Sequence, residues 1–313
     1  MDVLTDVLQT LRVRSACYGK IEASAPWGLR VTATAHAKFH VVIDGGAELL
    51  IDGDEPLALH AGDLVALPHG DGHTLVDAAE STPHLLEDVL RCKCDKNPGS
   101  IALGGAGART TLVSGRIEFE DHRHNPLLAV LPRVIVLRDE ARSRTDWLEP
   151  TLRFLSAETA SELPGAQTVV SRLTDIVFVH IVRGYLATLP VDASGWLSAL
   201  NDPQVGAALR FIHANPEQAW TVQSLAGAVA MSRSAFASRF TRIVGEPPLQ
   251  YLTRWRMQKA AGLLRDGQAT LSEIASHVGY DSEAAFSKAF KREVGSAPGV
   301  YRRARREGPS FAA

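Results

Sequence analysis

Along residues 221–302 apolar positions recur three and four apart, and the same arrangement occurs twice. Val222, Leu225 and Val229 mark one helical face, and Leu271, Ile274 and Val278 mark another. Thr221 and Thr270 stand where an N-cap is needed. Small Ala226 and Ala275 lie on those faces, where a second helix must come close. After a tight turn (Ala230-Met231 in one copy, Gly279-Tyr280 in the other) each copy predicts a second helix. These helices are capped by Ser232 and by Asp281 or Ser282, and they carry Phe236/Phe240 and Phe286/Phe290 four apart. At an offset of fifty, Ala235, Phe236, Phe240, Arg242, Val244, Gly245, Pro248 and Tyr251 meet Ala285, Phe286, Phe290, Arg292, Val294, Gly295, Pro298 and Tyr301. Upstream the offset is forty-nine, so the second copy carries one extra residue in its turn. Two copies are too few for a solenoid. Between them, PLQYLTRWRMQKAAGLLRDG predicts one long helix ending at Gly267.

Residues 28–76 change period. LRVTATAH, KFHVVID, AELLID, LALH, DLVALP and HTLVDA are short β-type runs separated by Gly, Pro and Asp, the pattern of a small barrel or sandwich. After strand-like RTTLVSGRIEFE the chain turns helical in DWLEPTLRFLSAE and PGAQTVVSRLTDIVFVHIVRGYLA. The second of these has a wide apolar stripe through Val169, Val170, Leu173, Ile176, Val177, His180 and Ile181. A stripe that wide faces more than one neighbour: the barrel, a second copy of the chain, or both.

Charge separates the two regions. The whole chain carries 33 basic and 35 acidic residues, net −2, which by itself argues nothing about nucleic acid. Residues 201–313 hold 15 basic and 9 acidic, net +6, and residues 1–200 hold 18 and 26, net −8. A basic C-terminal part on an acidic remainder is the footprint of a DNA-binding module carried by a separate domain. At 313 residues and 45% apolar, the chain can bury two cores. There is no signal-peptide pattern, and the most apolar run, IVFVHIVRGYLATL, is broken by His180 and Arg183. Three cysteines without an export signal point to a reducing cytoplasm and a soluble protein, with no membrane partner.

Helix, turn, helix with a polar outer face fits either an αα-hairpin that only packs or a unit that places its second helix in the DNA major groove. The duplication favours the second. So do the outward residues of the second helices: Arg233, Ser234, Ser238, Arg239 and Arg242, then Glu283, Ser287, Lys288, Lys291 and Arg292. Such side chains read base edges and grip phosphates. Arg254, Arg256 and Lys259 on the long helix are further phosphate candidates.

Residues 203–303 resemble the DNA-binding domain of AraC/XylS-type transcription regulators, through WTVQSLA, MSRSAFASRF, GEPPLQYLTRWRMQKAAGLL and EIASHVGYDSEAAFSKAFKREVGSAPGVYR. The resemblance implies two helix-turn-helices in successive major grooves of duplex DNA. Contacts would come from Arg233, Ser234, Ala237 and Ser238 in the first, and from Glu283, Ala284, Ser287 and Lys288 in the second. Ala230 departs from the family's turn glycine, and a left-handed backbone there costs alanine about 1–2 kcal/mol. Upstream, GDLVALPHGDGH (Gly62–His73) resembles the second motif of the cupin barrel. The first cupin motif, H-x-H followed by Glu, is degraded to Lys38-Phe39-His40, with Asp44 the nearest acid. His40 and His73 alone make a poor metal site, since stable sites want three or four protein ligands.

RCKCDKNPG adds Cys92 and Cys94 in a Gly-rich, loop-like segment running to Gly107. A C-x-C pair suits one soft transition-metal ion or thiol oxidation, with Arg91, Lys93 and Lys96 favouring the thiolate. The pair also has an incidental reading. Cys17, before the barrel, reads as a buried small hydrophobe.

The expected class is α+β. Residues 1–190 form a cupin-like sensing and dimerisation domain, 191–202 a linker, and 203–313 an all-α double helix-turn-helix domain. The expected function is a cytoplasmic transcription activator, not an enzyme, and a homodimer working with RNA polymerase. A small molecule, a metal or an oxidant would control it, with His40, His73, Cys92 and Cys94 as effector or metal candidates. The alternatives are a metal-dependent cupin enzyme fused to a DNA-binding module, and an effector-independent DNA-binding protein.

Overall fold

A computed structural model describes residues 2–10, 13–91, 100–119, 127–138, 148–159, 163–190, 195–267 and 269–306. It divides into two compact units, residues 11–188 and residues 1–10 with 189–313. The first is rich in strands and the second helical, an α+β protein. The division at 189 is close to the expected boundary, but the leading helix α1 (Val3–Thr10) belongs to the second unit.

In the first unit the strands are β1 (Val13–Ser24), β2 (Gly28–Val31), β3 (Ala37–Asp44), β4 (Gly46–Leu50), β5 (Leu57–His60) and β6 (Leu64–Leu67). They continue with β7 (His73–Val76), β8 (His84–Leu85), β9 (Ser100–Gly104), β10 (Arg109–Phe119) and β11 (Ile135–Leu137). The helices are α2 (Leu86–Arg91), α3 (Leu148–Thr159) and α4 (Ala166–Thr188). One sheet has the order β11-β6-β3-β10-β1-β9, the other β5-β4-β7-β2-β8. Their shared core holds Trp27, Leu29, Val42, Leu49, Leu59, Leu75 and Leu112. In β4 alternate residues Ala47 and Leu49 are buried, as one-sided packing requires. By contrast β3 is buried at six successive positions and β6 at all four. Both lie inside the larger sheet, on which α3 and α4 pack, so these strands lack a solvent side and read as continuous apolar runs.

Cys17 lies on β1, opposite Arg116 of β10, rather than ahead of the barrel. The segment expected to be loop as far as Gly107 contains β9, which runs parallel to β1. Cys92 and Cys94 lie outside the described residues.

In the second unit α5 (Trp196–Ala199) and α6 (Pro203–Ala214) lead into α7 (Val222–Ala228) and α8 (Arg233–Val244). The long α9 (Pro248–Asp266) follows, then α10 (Leu271–His277), α11 (Glu283–Val294) and α12 (Pro298–Arg306). The stretch expected to be linker thus holds α5. Trp196, Leu197 and Ala199 are buried there, and the Gly195 amide donates to the Ile243 carbonyl at 2.7 Å.

Local chemistry sets the helix ends. Thr221 and Thr270 cap α7 and α10 in capping boxes with Ser224 and Glu273. Ser232 and Ser282 cap α8 and α11, while Gly245, Gly267 and Gly295 end α8, α9 and α11 at positive φ. The turn in the first copy spans four residues between its helices and five in the second, the extra residue expected from the offset. Ala230 holds that first turn at φ 55°, the left-handed backbone expected to strain it.

Candidate functional site

The two helix-turn-helix copies are built alike. Phe236 and Phe240 stand 5.6 Å apart and Phe240 meets Tyr251 edge-on; Phe286 and Phe290 stand 5.7 Å apart and Phe290 meets Tyr301 edge-on. All four phenylalanines are fully buried, so helical phase turns the other faces of α8 and α11 outward. Arg233, Ser234, Ser238 and Arg242 are exposed on α8, and Glu283, Ala284, Lys288, Lys291 and Arg292 on α11. Ala237 and Ser287 are half-buried on the same helices. Arg292 donates to its neighbour Glu293 at 2.9 Å.

Four basic residues expected at a DNA surface have partners within the unit. Arg239 gives two hydrogen bonds to Asp202, at 3.1 and 2.6 Å, tying α8 to the cap of α6. Arg254 pairs with Glu246 and lies over the Tyr251 ring. Arg256 donates to three backbone carbonyls. Lys259 lies 5.2 Å from the centre of the Trp255 ring and 3.9 Å from Asp6. Tertiary partners, invisible in helical phase, claimed these side chains.

Asp6 brings α1 into the second unit as a buried carboxylate. Val3, Leu4 and Val7 pack beside it, and α1 meets α6 and α9. His213 is stacked on Trp255 at 3.9 Å, with Nε2 2.7 Å from the Tyr251 hydroxyl and Nδ1 3.5 Å from Asp6. A Tyr251 hydroxyl donating to Nε2 leaves the Nδ1–H facing the carboxylate. Burial lowers the pKa of His213, and Asp6 partly offsets this. Burial likewise raises that of Tyr251.

The barrel holds a second polar chain. His40 Nε2 and His73 Nε2 are 2.7 Å apart, His40 Nδ1 is 2.7 Å from the Ser114 hydroxyl, and His73 Nδ1 is 3.0 Å from the Asp71 carbonyl. A carbonyl only accepts, so His73 carries its proton on Nδ1. Its Nε2 then accepts from His40 Nε2–H, and Ser114 donates to His40 Nδ1. Every link is satisfied with both imidazoles neutral.

Burial enforces that state, holding His73 at about 4 and His40 well below the usual histidine range. Lys38, the residue in place of the first motif histidine, is 5% exposed and donates to the carbonyls of Thr32, Gly70 and Asp71. Burial pushes its pKa down to about 8, and its charge disfavours protons on both imidazoles. Gly70 makes this cage possible. It sits at φ +75°, where a Cβ would come within 2.3 Å of the Thr34 and His36 carbonyl oxygens.

These residues do not fit a resident metal. Two nitrogens on one tetrahedral ion stand about 3.3 Å apart, whereas these are in hydrogen-bond contact with an ammonium nearby. Among the described residues no three His, Cys, Asp or Glu side chains form a metal-binding group.

Comparisons with known proteins find two families along the chain, the first of which takes in α1 together with the strand-rich unit. Residues 2–187 match the family model described as Cupin, and residues 225–304 one described as Helix-turn-helix domain. An AraC-like transcription regulator of Streptomyces lividans is 38% identical over 97% of this chain and 98% of its own length. The HTH-type transcriptional regulator AlkR of Acinetobacter baylyi is 33% identical over 96% and 99%. The RCS-specific HTH-type transcriptional activator RclR of Escherichia coli is 30% identical over 85% and 84%. Among the described residues no helix is long and apolar enough to cross a membrane.

Proposed function

This chain belongs to the AraC-like transcription regulators, with a cupin domain ahead of a helix-turn-helix domain, and on that premise we propose that an effector acting at the barrel controls it as an activator. It is a DNA-binding regulator rather than an enzyme. The observation that carries effector control is the buried chain from Ser114 through His40 and His73 to Asp71. A barrel core needs no such chain, and a buried polar network is stable only while every member is paired. Protonation, ligation or displacement of one link therefore shifts the barrel between arrangements, provided the effector binds them with different affinity. The activator named among the relatives supports activation; RNA polymerase is the proposed partner and the cytoplasm the proposed site of action.

On DNA, Arg233, Ser234, Ala237 and Ser238 face one half-site, and Glu283, Ala284, Ser287 and Lys288 the next. Arg242, Lys291 and Arg292 lie toward phosphates. Arg233→Ala and Lys288→Ala should each erase hydroxyl-radical protection at a different half-site, about 10 bp apart. Loss of the same base pairs in both would contradict the two-groove arrangement.

Cys92 and Cys94 are the proposed thiol sensor, for a soft metal or an oxidant. Cys92→Ser with Cys94→Ser should preserve basal DNA affinity while the response to zinc, copper or hypochlorite at a promoter fragment disappears. His40→Ala or His73→Ala removes the response too if a metal is shared with the thiols, and neither does if the thiols act alone. An unchanged response in the double-serine variant sinks the sensor.

The homodimer is proposed through α3 and α4. Val170, Val177 and Ile181 of the expected stripe are buried, but Ile176 is 45% exposed, with Phe154 and Leu163 exposed nearby in sequence. Ile176→Asp should sediment as a monomer; an unaltered dimer moves the interface elsewhere.

A further inference from the structure

We infer that Arg256 is a positioning residue that sets the spacing between the two half-sites. The inference rests on the two-groove arrangement proposed above. Arg256 projects from α9, the helix that joins the two copies. Its Nε donates to the Pro216 carbonyl at 2.6 Å and its Nη2 to that of Gln218 at 2.8 Å. Its Nη1 donates to the Gly279 carbonyl at 3.2 Å, and the guanidinium lies 5.7 Å from the centre of the Tyr280 ring.

Residues 216 and 218 belong to the loop that enters α7, the first helix of the first copy. Gly279 and Tyr280 form the turn that delivers α11, the second helix of the second copy. One planar cation therefore holds the entrance of one helix-turn-helix to the turn of the other.

The same point explains the glycine. Gly279 has φ +75°, and a Cβ there would lie 2.5 Å from the Glu217 carbonyl oxygen and 2.6 Å from Arg256 Nη2. The two segments close onto each other with the guanidinium between them. Each copy also keeps its own Phe–Phe–Tyr cluster, and none of those contacts involves Arg256. Removing the guanidinium thus leaves both copies folded and frees one to move against the other. A lysine reaches only as a point donor and does not reproduce three bonds from one plane.

The test uses the full chain and a site selected from random DNA by the unaltered protein, with one base pair then added or removed between its two half-sites. Each such change shifts the half-sites by about 3.4 Å and rotates them. The unaltered protein should lose about tenfold or more in affinity for either change, the size of a poor base-pair match. Arg256→Ala and Arg256→Lys should bind the selected site more weakly and lose less than about threefold on the same changes. Arg254→Ala, whose partners lie on α9 and just before it, should keep the full spacing penalty.

Uniform weakening of every spacing by the Arg256 variants, with the penalty intact, overturns the inference and leaves the two-groove arrangement standing. Absence of any penalty in the unaltered protein overturns both. Circular dichroism monitors folding; should Arg256→Ala unfold, Arg256→Lys decides, and unfolding of both variants would make Arg256 a residue of the fold and overturn the spacing role.

Discussion

A fragment starting at residue 189 should be more stable than one starting at 203 by about 4 kcal/mol, the worth of burying two large apolar side chains. Those side chains are Trp196 and Leu197, 2% and 3% exposed, on the short helix that packs against α8. The shorter fragment also loses the Gly195 amide bond to the Ile243 carbonyl. With whole-domain stabilities of about 5–15 kcal/mol, such a loss brings a truncated unit close to unfolding. Urea midpoints of the two fragments measure the difference, and equal midpoints would show that α5 adds nothing to this core. A peptide of residues 2–10 should raise the midpoint of the longer fragment, because Val3, Leu4 and Val7 bury their side chains on this unit. The longer fragment should also bind duplex DNA with an affinity that falls steeply as salt rises.

What was legible in the sequence is what local chemistry decides. Threonine and serine caps, phenylalanines four apart and glycines at positive φ each act within a turn or two, so α7, α8, α10 and α11 could be placed from the chain alone. Strands β3 to β7 were equally visible, since Gly, Pro and Asp separate short apolar runs. The contrary cases depend on partners far along the chain. Strand β1 mixes Lys20 and Glu22, paired with each other at 2.6 Å at the surface, with buried Ile21 and Ala23. Its pairing with β10 and β9 is set about ninety residues later. Helix α1 has eight residues, and its Asp6 is met by His213 and Lys259, more than two hundred residues along the chain. The cupin-like motif located His73, yet nothing local placed it 2.7 Å from His40 or made Lys38 a donor to three carbonyls. The same holds for Arg239, which helical phase turns outward and Asp202 turns in.

That buried imidazole pair should make the barrel acid-labile, its stability falling by about 3 kcal/mol or more between pH 7.5 and 4. In the unfolded chain each imidazole takes a proton below about pH 6.5. In the native barrel His73 resists protonation until about pH 4, and His40 to lower pH still, because burial penalises the charged ring. The unfolded state therefore binds more protons throughout this window, so stability drops as pH falls and returns as pH rises. Above about pH 7.5 both rings are neutral in both states and the pair contributes almost no slope. For His73 alone the shift corresponds to about 3 kcal/mol, at roughly 1.4 kcal/mol per pKa unit. His40 adds to this, although the two rings share one hydrogen bond and do not titrate independently. Carboxylates begin to titrate near pH 4.5, which leaves pH 6.5 to 5 as the clean part of the window. Hydrogen exchange of the β3 and β10 amides, corrected for intrinsic rates, reads the barrel apart from the second unit. The double variant His40→Leu/His73→Leu should flatten the profile in that window, whatever its absolute stability. Equal opening free energies at pH 7.5 and pH 5 in the unaltered protein would mean that the rings are not held neutral, and the chain from Ser114 to Asp71 would have to be redrawn.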